Sequence, residues 1–232
     1  MKVFGKNVFN ELKDNIKSIK KVYRAKNFND KEIIKFIQDN KISYSVTDPK
    51  NMDGMVEGRH QGIIAVIDDY EYVDYRDMLN DNVVVMLDHL EDPHNFGAIL
   101  RSCEAMGVDG VIVPKRGACP LNSTVAKTST GAIELVKVAE VNNLTNAIKT
   151  LKENGYWIVG AEAHNSVDYR SVDYNDKIVL VVGSEGKGIS RLVIENCDYK
   201  VKLPMKGKVN SLNVSVACAV LLYQVYNNRF PL

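Results

Sequence analysis

From Val83 to Gly183, short apolar runs alternate with stretches in which apolar residues recur every three or four positions. The runs VVVMLD, GVIVP, VKVAEV, YWIVGA and IVLVVG predict strands, and the segments ending before Gly107 and following Asn143 predict amphipathic helices. That alternation calls for an α/β domain on a parallel sheet. The pattern ahead of it is finer grained: a helix over about Lys6–Leu12, a strand at Ile19–Arg24, a helix over Asp30–Asn40 with Asp30 as N-cap, and strands near Tyr44–Val46 and Gly62–Val66. Between the two lies DDYEYVDYRDMLNDN, without an apolar period, which predicts a linker or a short crossing helix. The expected division is a small α/β domain at 1–68, an acidic linker at 69–82 and a larger domain at 83–232. The segment Val214–Val225 is apolar on nearly every side, so it must be buried, within its own domain or against a second copy. A contact between two copies is the simpler expectation.

Composition narrows the class of protein. With 232 residues, 45% hydrophobic and 25% charged, the chain is neither disordered nor collagen-like. No apolar run approaches the ~18 residues that cross a bilayer. The start, MKVFGKNVFNELKDN, places charges where a signal peptide carries its apolar stretch, so the expected location is the cytoplasm. Cys103, Cys119, Cys197 and Cys218 are far apart, without a CxxC pair, and predict reduced, mostly buried thiols. His60, His89, His94 and His164 show no HxxxH or HExxH spacing, so no metal is expected. Cys103 follows Arg101 on one helix, yet no histidine base is identifiable for it, and a core position is expected.

The net charge of +1 favours no partner, but its distribution is uneven. Residues 1–68 carry 13 Lys and Arg against 9 Asp and Glu, whereas 69–82 carry one Arg against five acids. Lys13, Lys17, Lys20, Lys21, Arg24 and Lys26 are dense enough to meet a phosphate backbone if they share a face, although a solvated helix end and strand edge would explain them as well.

In an open parallel sheet, ligands collect beyond the carboxyl ends of strands, and three segments there carry candidate chemistry. In LDHLEDPHNFGAILRSCEAMG a strand ends at Asp88, and Asn95 is expected to cap a helix that carries Arg101 one turn past Gly97. That arginine can offer a planar fork to a phosphate or carboxylate. In IVLVVGSEGKGIS a strand runs into a glycine-rich turn and a short helix over about Ile189–Asn196. The turn fits neither GxGxxG nor GxxxxGK[ST], but its glycines would let a flat ring approach the backbone. Glu185 in that turn is either a ligand-facing acid or a partner of the helix dipole. In KLPMKGKVNSLNVSVACAVLLYQV a strand to Leu203 leads through a Pro/Gly/Lys loop to the last helix, with Ser211 or Asn213 as its cap.

Together and in this order, DPHNFGAILRSCEAMG, VVGSEGKGIS and LPMKGKVNSLNVSVA resemble the three motifs of the SPOUT superfamily of RNA methyltransferases, in particular the TrmH/RlmB type. FGKNVF and RHQGIIAVI are similar to stretches of that family's small substrate-binding domain. The resemblance implies a parallel α/β sheet with a C-terminal trefoil knot, a homodimer, and transfer of a methyl group from S-adenosylmethionine to a ribose 2′-hydroxyl. The implied substrate is a guanosine of 23S ribosomal RNA. It places the family's site residues on Asn95, Arg101, Glu185, Ser211 and Asn213. The implied cofactor pocket takes in Thr128, Ser129, Gly131, Val181, Gly183, Leu203, Met205, Ser211 and Leu212. RNA is implied at Lys20, Lys21, Arg24, Arg59, His60 and Arg101, which decides the basic cluster in favour of a phosphate backbone.

A guanidinium with a pKa above ~12 is a poor proton acceptor, so the expected role of Arg101 is to hold the phosphate and the attacking hydroxyl. Three other readings compete with this one. A transfer-RNA 2′-O-methyltransferase would share every motif; a non-catalytic RNA-binding homologue would have lost Arg101 or the donor pocket; and a small-molecule α/β enzyme would carry a nucleotide fingerprint.

Overall fold

The structure is a computed structural model and describes residues 1–56 and 58–231, without the side chains at 11, 14, 15 and 17. The chain divides into two compact units: Met1–Tyr70 with Leu121–Gly131, and Glu71–Pro120 with Ala132–Leu232.

The first unit contains β1 (Lys2–Phe4), α1 (Lys6–Glu11), a 3-10 segment at Leu12–Ser18, β2 (Ile19–Ala25), α2 (Lys31–Asp39), β3 (Tyr44–Thr47), α3 (Pro49–Asp53), β4 (Ile63–Ile67) and α5 (Ser123–Ser129). Its sheet has the order β1-β4-β2-β3, with only the β2–β3 pair parallel. Asp30 caps α2 as the sequence predicts, its carboxylate accepting from Ile33 N at 3.3 Å. Lys6 Nζ stands 3.0 Å from the same carboxylate and holds its pKa below the usual range. β1 and α3 escape the sequence reading because elements of three to five residues are too short to show a period.

The second unit contains β5 (Val83–Asp88), α4 (Pro93–Ala105), β6 (Gly110–Pro114), α6 (Ala132–Leu135), β7 (Lys137–Val141), α7 (Leu144–Glu153), β8 (Trp157–Ala161), β9 (Val167–Asp168), β10 (Ile178–Gly183), α8 (Arg191–Glu195), β11 (Tyr199–Lys202) and α9 (Val214–Arg229). Its seven strands are all parallel, in the order β7-β6-β5-β10-β8-β11-β9. β5 and β10 are central, which explains their unbroken apolar sequences: both faces are covered. The chain leaves β5 toward β6 on one side and later returns to lay β10 on the other. The carboxyl ends of β5 and β10 therefore flank the crevice where such sheets collect ligands. Their register pairs Gly183 with Asp88, so both loops start at one level.

One face of this sheet is closed by α7, α8 and the stretch before β5, around Met78, Met86, Ile148, Leu151, Ile158 and Val181. The acidic stretch is more than a linker. Val73 bridges to Ala139, Tyr75–Met78 forms a 3-10 turn, and Met78 is fully buried under Gly110. A Cβ on Gly110 would lie 2.6 Å from the Met78 sulfur, so the glycine makes room for it. On the other face α4 packs against α9. Cys103 and Cys218 are both buried there, and burial pushes the Cys218 thiol up to about 12, so neither is a thiolate nucleophile. α9 itself is only half covered: Val214, Cys218, Leu221, Leu222 and Val225 are buried, while Val216, Val220, Tyr223 and Tyr226 are exposed.

Tyr156 ties the acidic stretch to the core. Its hydroxyl oxygen lies 2.5 Å from Met78 O and 2.7 Å from Asp81 O, and burial raises its pKa. Tyr156→Phe is expected to destabilise the protein by about 1–3 kcal/mol, because two carbonyls lose a donor that water does not replace. Urea unfolding with an unchanged m-value checks it.

Candidate active site

The loop after β5 and the start of α4 supply the first part of the site. Asp92 is the N-cap of α4, its Oδ1 accepting from His94 N at 2.8 Å, with Pro93 in the first turn. This corrects the expectation for Asn95, which lies inside the helix and is buried. A cap must precede the first helical residues, and Asp92 occupies that position. Freed from capping, Asn95 turns its amide across to the next loop. Its Nδ2 donates to Glu185 Oε1 at 2.8 Å and to Asp92 Oδ2 at 3.3 Å.

The loop after β10 supplies the second part. Gly183 can be nothing but glycine, since a Cβ there would stand 2.1 Å from the Gly188 carbonyl carbon. The turn closes on itself through Gly188 N to Ser184 O at 2.9 Å, with Gly186 and Gly188 at φ of +83° and +67°. Glu185 lies on this closed turn. Its Oε1 also accepts from Asn213 Nδ2 at 2.8 Å.

Asn213 is the third part. It caps α9, its Oδ1 accepting from Ser215 N at 2.9 Å and Ser215 Oγ at 2.6 Å, while its Nδ2 also donates to Asn95 Oδ1 at 3.0 Å. Both amide protons of Asn95 and both of Asn213 are thus in use. This pattern fixes which way each amide faces, because flipping either would set donors against donors. Asn95, Glu185 and Asn213 form one cluster, and a cavity of 220 Å³ opens over it, bounded by Leu90, Glu91, Asp92, Glu185 and Lys187.

Arg101 stands on α4 two turns beyond Asn95, exposed and without a hydrogen bond or ion pair to any described residue. Ser211 is exposed, its Oγ 3.5 Å from Asn210 Oδ1, and makes no bond to the cluster among the described residues. Val181 is fully buried in β10, Leu203 is half-buried just past β11, and Met205 and Leu212 expose apolar side chains in the loop leading to α9. Thr128, Ser129 and Gly131 belong to the first unit, where the buried Ser129 donates its hydroxyl proton to Ala126 O at 3.0 Å. Among the described residues, no group of three His, Cys, Asp or Glu side chains could hold a metal ion.

The cationic residues of the first unit differ in availability. Lys20 pairs with Asp68; Lys21 lies over the Tyr23 ring at 4.9 Å; and Arg24 lies over the exposed Tyr44 ring at 5.8 Å. Arg59 is exposed, and the Lys17 side chain lies outside the described residues. His60 is buried, its Nδ1 accepting from Gly62 N at 2.9 Å and its Nε2 standing 3.0 Å from Asp53 Oδ1. Both ring nitrogens are therefore occupied within the unit. Sequence reasoning missed Asp92, whose signal is an Asp directly before Pro at a helix start, and Asp88, a carboxylate ending an otherwise apolar strand.

Residues 82–223 match the SpoU rRNA Methylase family, and residues 2–73 match a family described as RNA 2′-O ribose methyltransferase substrate binding. A protein of Staphylococcus saprophyticus named as a TrmH family tRNA/rRNA methyltransferase is 50% identical over 207 residues, 85% of this chain and 82% of its own length. The Bacillus subtilis protein YacO, named in the same terms, is 42% identical over 239 aligned positions, 99% of this chain and 96% of its own. The solved structure of the SpoU methyltransferase AviRb from Streptomyces viridochromogenes, in complex with AdoMet, superposes with a TM-score of 0.85. That match covers 100% of this chain and 91% of that one at 22% identity, a likeness of fold.

Asn213→Ala removes a helix cap and one of the two donors to Glu185. The expected loss is about 1 kcal/mol or more of stability from the cap. Denaturant unfolding measures it, and loss below about 0.3 kcal/mol would show that the cap is redundant.

Proposed function

The chain belongs to the SpoU rRNA methylase family, and on that premise we propose that it moves a methyl group from S-adenosylmethionine to the 2′-hydroxyl of a ribose in RNA, the target being a guanosine of 23S ribosomal RNA. The observation that carries this reading is the Asn95–Glu185–Asn213 cluster at the carboxyl ends of β5 and β10, with Arg101 unpaired on the helix that also carries Asn95.

The residues present fit the cofactor. Met205 and Leu212 leave apolar surface uncovered, and a Cβ at Gly186, Gly188 or Gly207 would meet nothing within 4 Å, so an adenine ring has both apolar contact and open backbone to lie against. Gly183, Leu203, Met205 and Leu212 would hold it, with Val181 behind. When bound, the cofactor supplies an electrophilic methyl group. The chain's own task is to hold a ribose hydroxyl in line and let its proton leave. Arg101 does the holding: its guanidinium keeps its charge and grips phosphate and hydroxyl, while the proton passes to water or a neighbouring group. Asn95 and Asn213 orient the reacting groups through Glu185, which lines the cavity, and Ser211 is available to a ligand.

RNA is held by the first unit, through Lys20, Lys21, Arg24 and Arg59, with Tyr44 offering a ring to a base. His60 supports this surface from within. A homodimer completes the assembly, because a groove of 570 Å³ between α4 and α9 presents Val216, Val220 and Tyr223 uncovered beside Arg101's helix. No described helix is long and apolar enough to cross a membrane, and the proposed site of action is the cytoplasm.

The test incubates the protein with tritiated S-adenosylmethionine and separate pools of unmodified ribosomal and transfer RNA, then digests to nucleosides. The expected label is 2′-O-methylguanosine from ribosomal RNA, reduced about 10²-fold or more by Arg101→Ala. Label only in transfer RNA would overturn the target, and Arg101→Ala at wild-type rate would overturn the role of Arg101.

A further inference from the structure

Asp88 is the last residue of β5, and its carboxylate is 1% exposed. It meets no lysine or arginine among the described residues. Its Oδ2 accepts from Ser190 N at 2.6 Å, and its Oδ1 bonds to His89 Nδ1. A carboxylate so buried is costly unless its bonds to the charged form are made and needed, so its position calls for a reason beyond packing.

The reason lies in which segment it grips. Across the β5–β10 register Asp88 stands opposite Gly183, the first residue of the closed turn, and through Oδ2 it holds Ser190, the residue at which that turn ends. Between them Gly188 N bonds Ser184 O, and the buried Ile189 reaches over Gly160, which has no room for a Cβ. The turn from Gly183 to Ser190 is therefore pinned at both ends to one residue, and Glu185 projects from its middle. We propose that Asp88 is a positioning residue of the methyl-transfer site, clamping the Gly183–Ser190 turn so that Glu185 meets Asn95 and Asn213. Asparagine keeps an acceptor for Ser190 N and can offer its amide to His89 Nδ1, so alanine is the substitution that removes the grip. His89 serves as the second strut. It adopts φ +56°, unusual for a residue with a side chain, and its bond to Asp88 helps hold that conformation.

The proposal rests on the functional reading of Glu185, so its test has a readout independent of turnover. Asp88→Ala removes the acceptor of Ser190 N. Ser190→Pro breaks the same contact from the other side: it removes the donor and sets the ring Cδ against the Asp88 carboxylate, at a φ of −62° that proline accepts. In either variant, amide hydrogen exchange over 184–190 is expected to rise about tenfold while β5, β8 and β10 keep their protection. The expected kcat falls about 10²-fold with KM for RNA within about twofold, as a displaced site group predicts. The double variant should be no worse than the more impaired single one. Unchanged exchange over 184–190 in both variants would overturn the proposal, and so would an even loss of protection across the second unit, which would make Asp88 a general core group. An inactive wild type would defeat the functional reading, while the exchange data would still decide the clamp.

Discussion

Glu185 Oε1 accepts hydrogen bonds from two side-chain amides, one 90 residues before it and one 28 residues after, and those amides bond each other across 118 residues. Three loops that share no local sequence are thereby held to one oxygen atom. Each bond is modest alone, but the three are mutually dependent. Asn95 can face Glu185 because Asp92 caps α4, and Asn213 fills two roles at once, its amide protons going to Glu185 and Asn95 while its one side-chain oxygen caps α9. The cluster thus sets the start of the two helices that pack together on one face of the sheet.

The sheet makes this convergence possible. Because β5 and β10 are parallel neighbours in register at Asp88 and Gly183, the loops leaving them rise side by side. A glycine with no space for a Cβ lets the second loop fold back on itself, and a buried carboxylate accepts from the backbone N–H of Ser190 at its far end. The result is a stiff rim around a small polar cavity, with apolar residues of the 203–213 loop beside it. Such pre-organisation suits a reaction in which little covalent work falls to the protein and alignment supplies most of the gain.

Much of this was legible in the sequence. Alternating apolar runs and periodic segments predicted the parallel sheet, and the resemblance of three ordered motifs to the SPOUT family brought Asn95, Glu185 and Asn213 forward together. What the residues did not reveal was how they meet. Asn95 had the chemistry of a cap and a site partner at once, and only the position of Asp92, three residues earlier, separates the two roles. The resemblance implied RNA at His60, yet two bonds inside the first unit take up its ring. Strand order was equally hidden: that β10 inserts between β5 and β8 depends on long-range pairing, which no local period encodes. The short elements β1, α3 and α6, of three to five residues, are below the length at which a period can be seen.

Electrostatics also separates the two units by task. The first carries the surplus of cations, two of them laid over tyrosine rings, whereas the cavity of the second is edged by Glu91, Asp92 and Glu185 with Lys187. The proposed function assigns phosphates to the first and a polar nucleoside to the second. The account therefore stands on one chemical claim, that the modified atom is a ribose oxygen. Alkaline hydrolysis of RNA labelled by the protein tests it directly, because a methylated 2′-oxygen cannot attack the adjoining phosphate. The account predicts that the label survives in alkali-resistant dinucleotides. Label released in mononucleotides would place the methyl group on a base and contradict it.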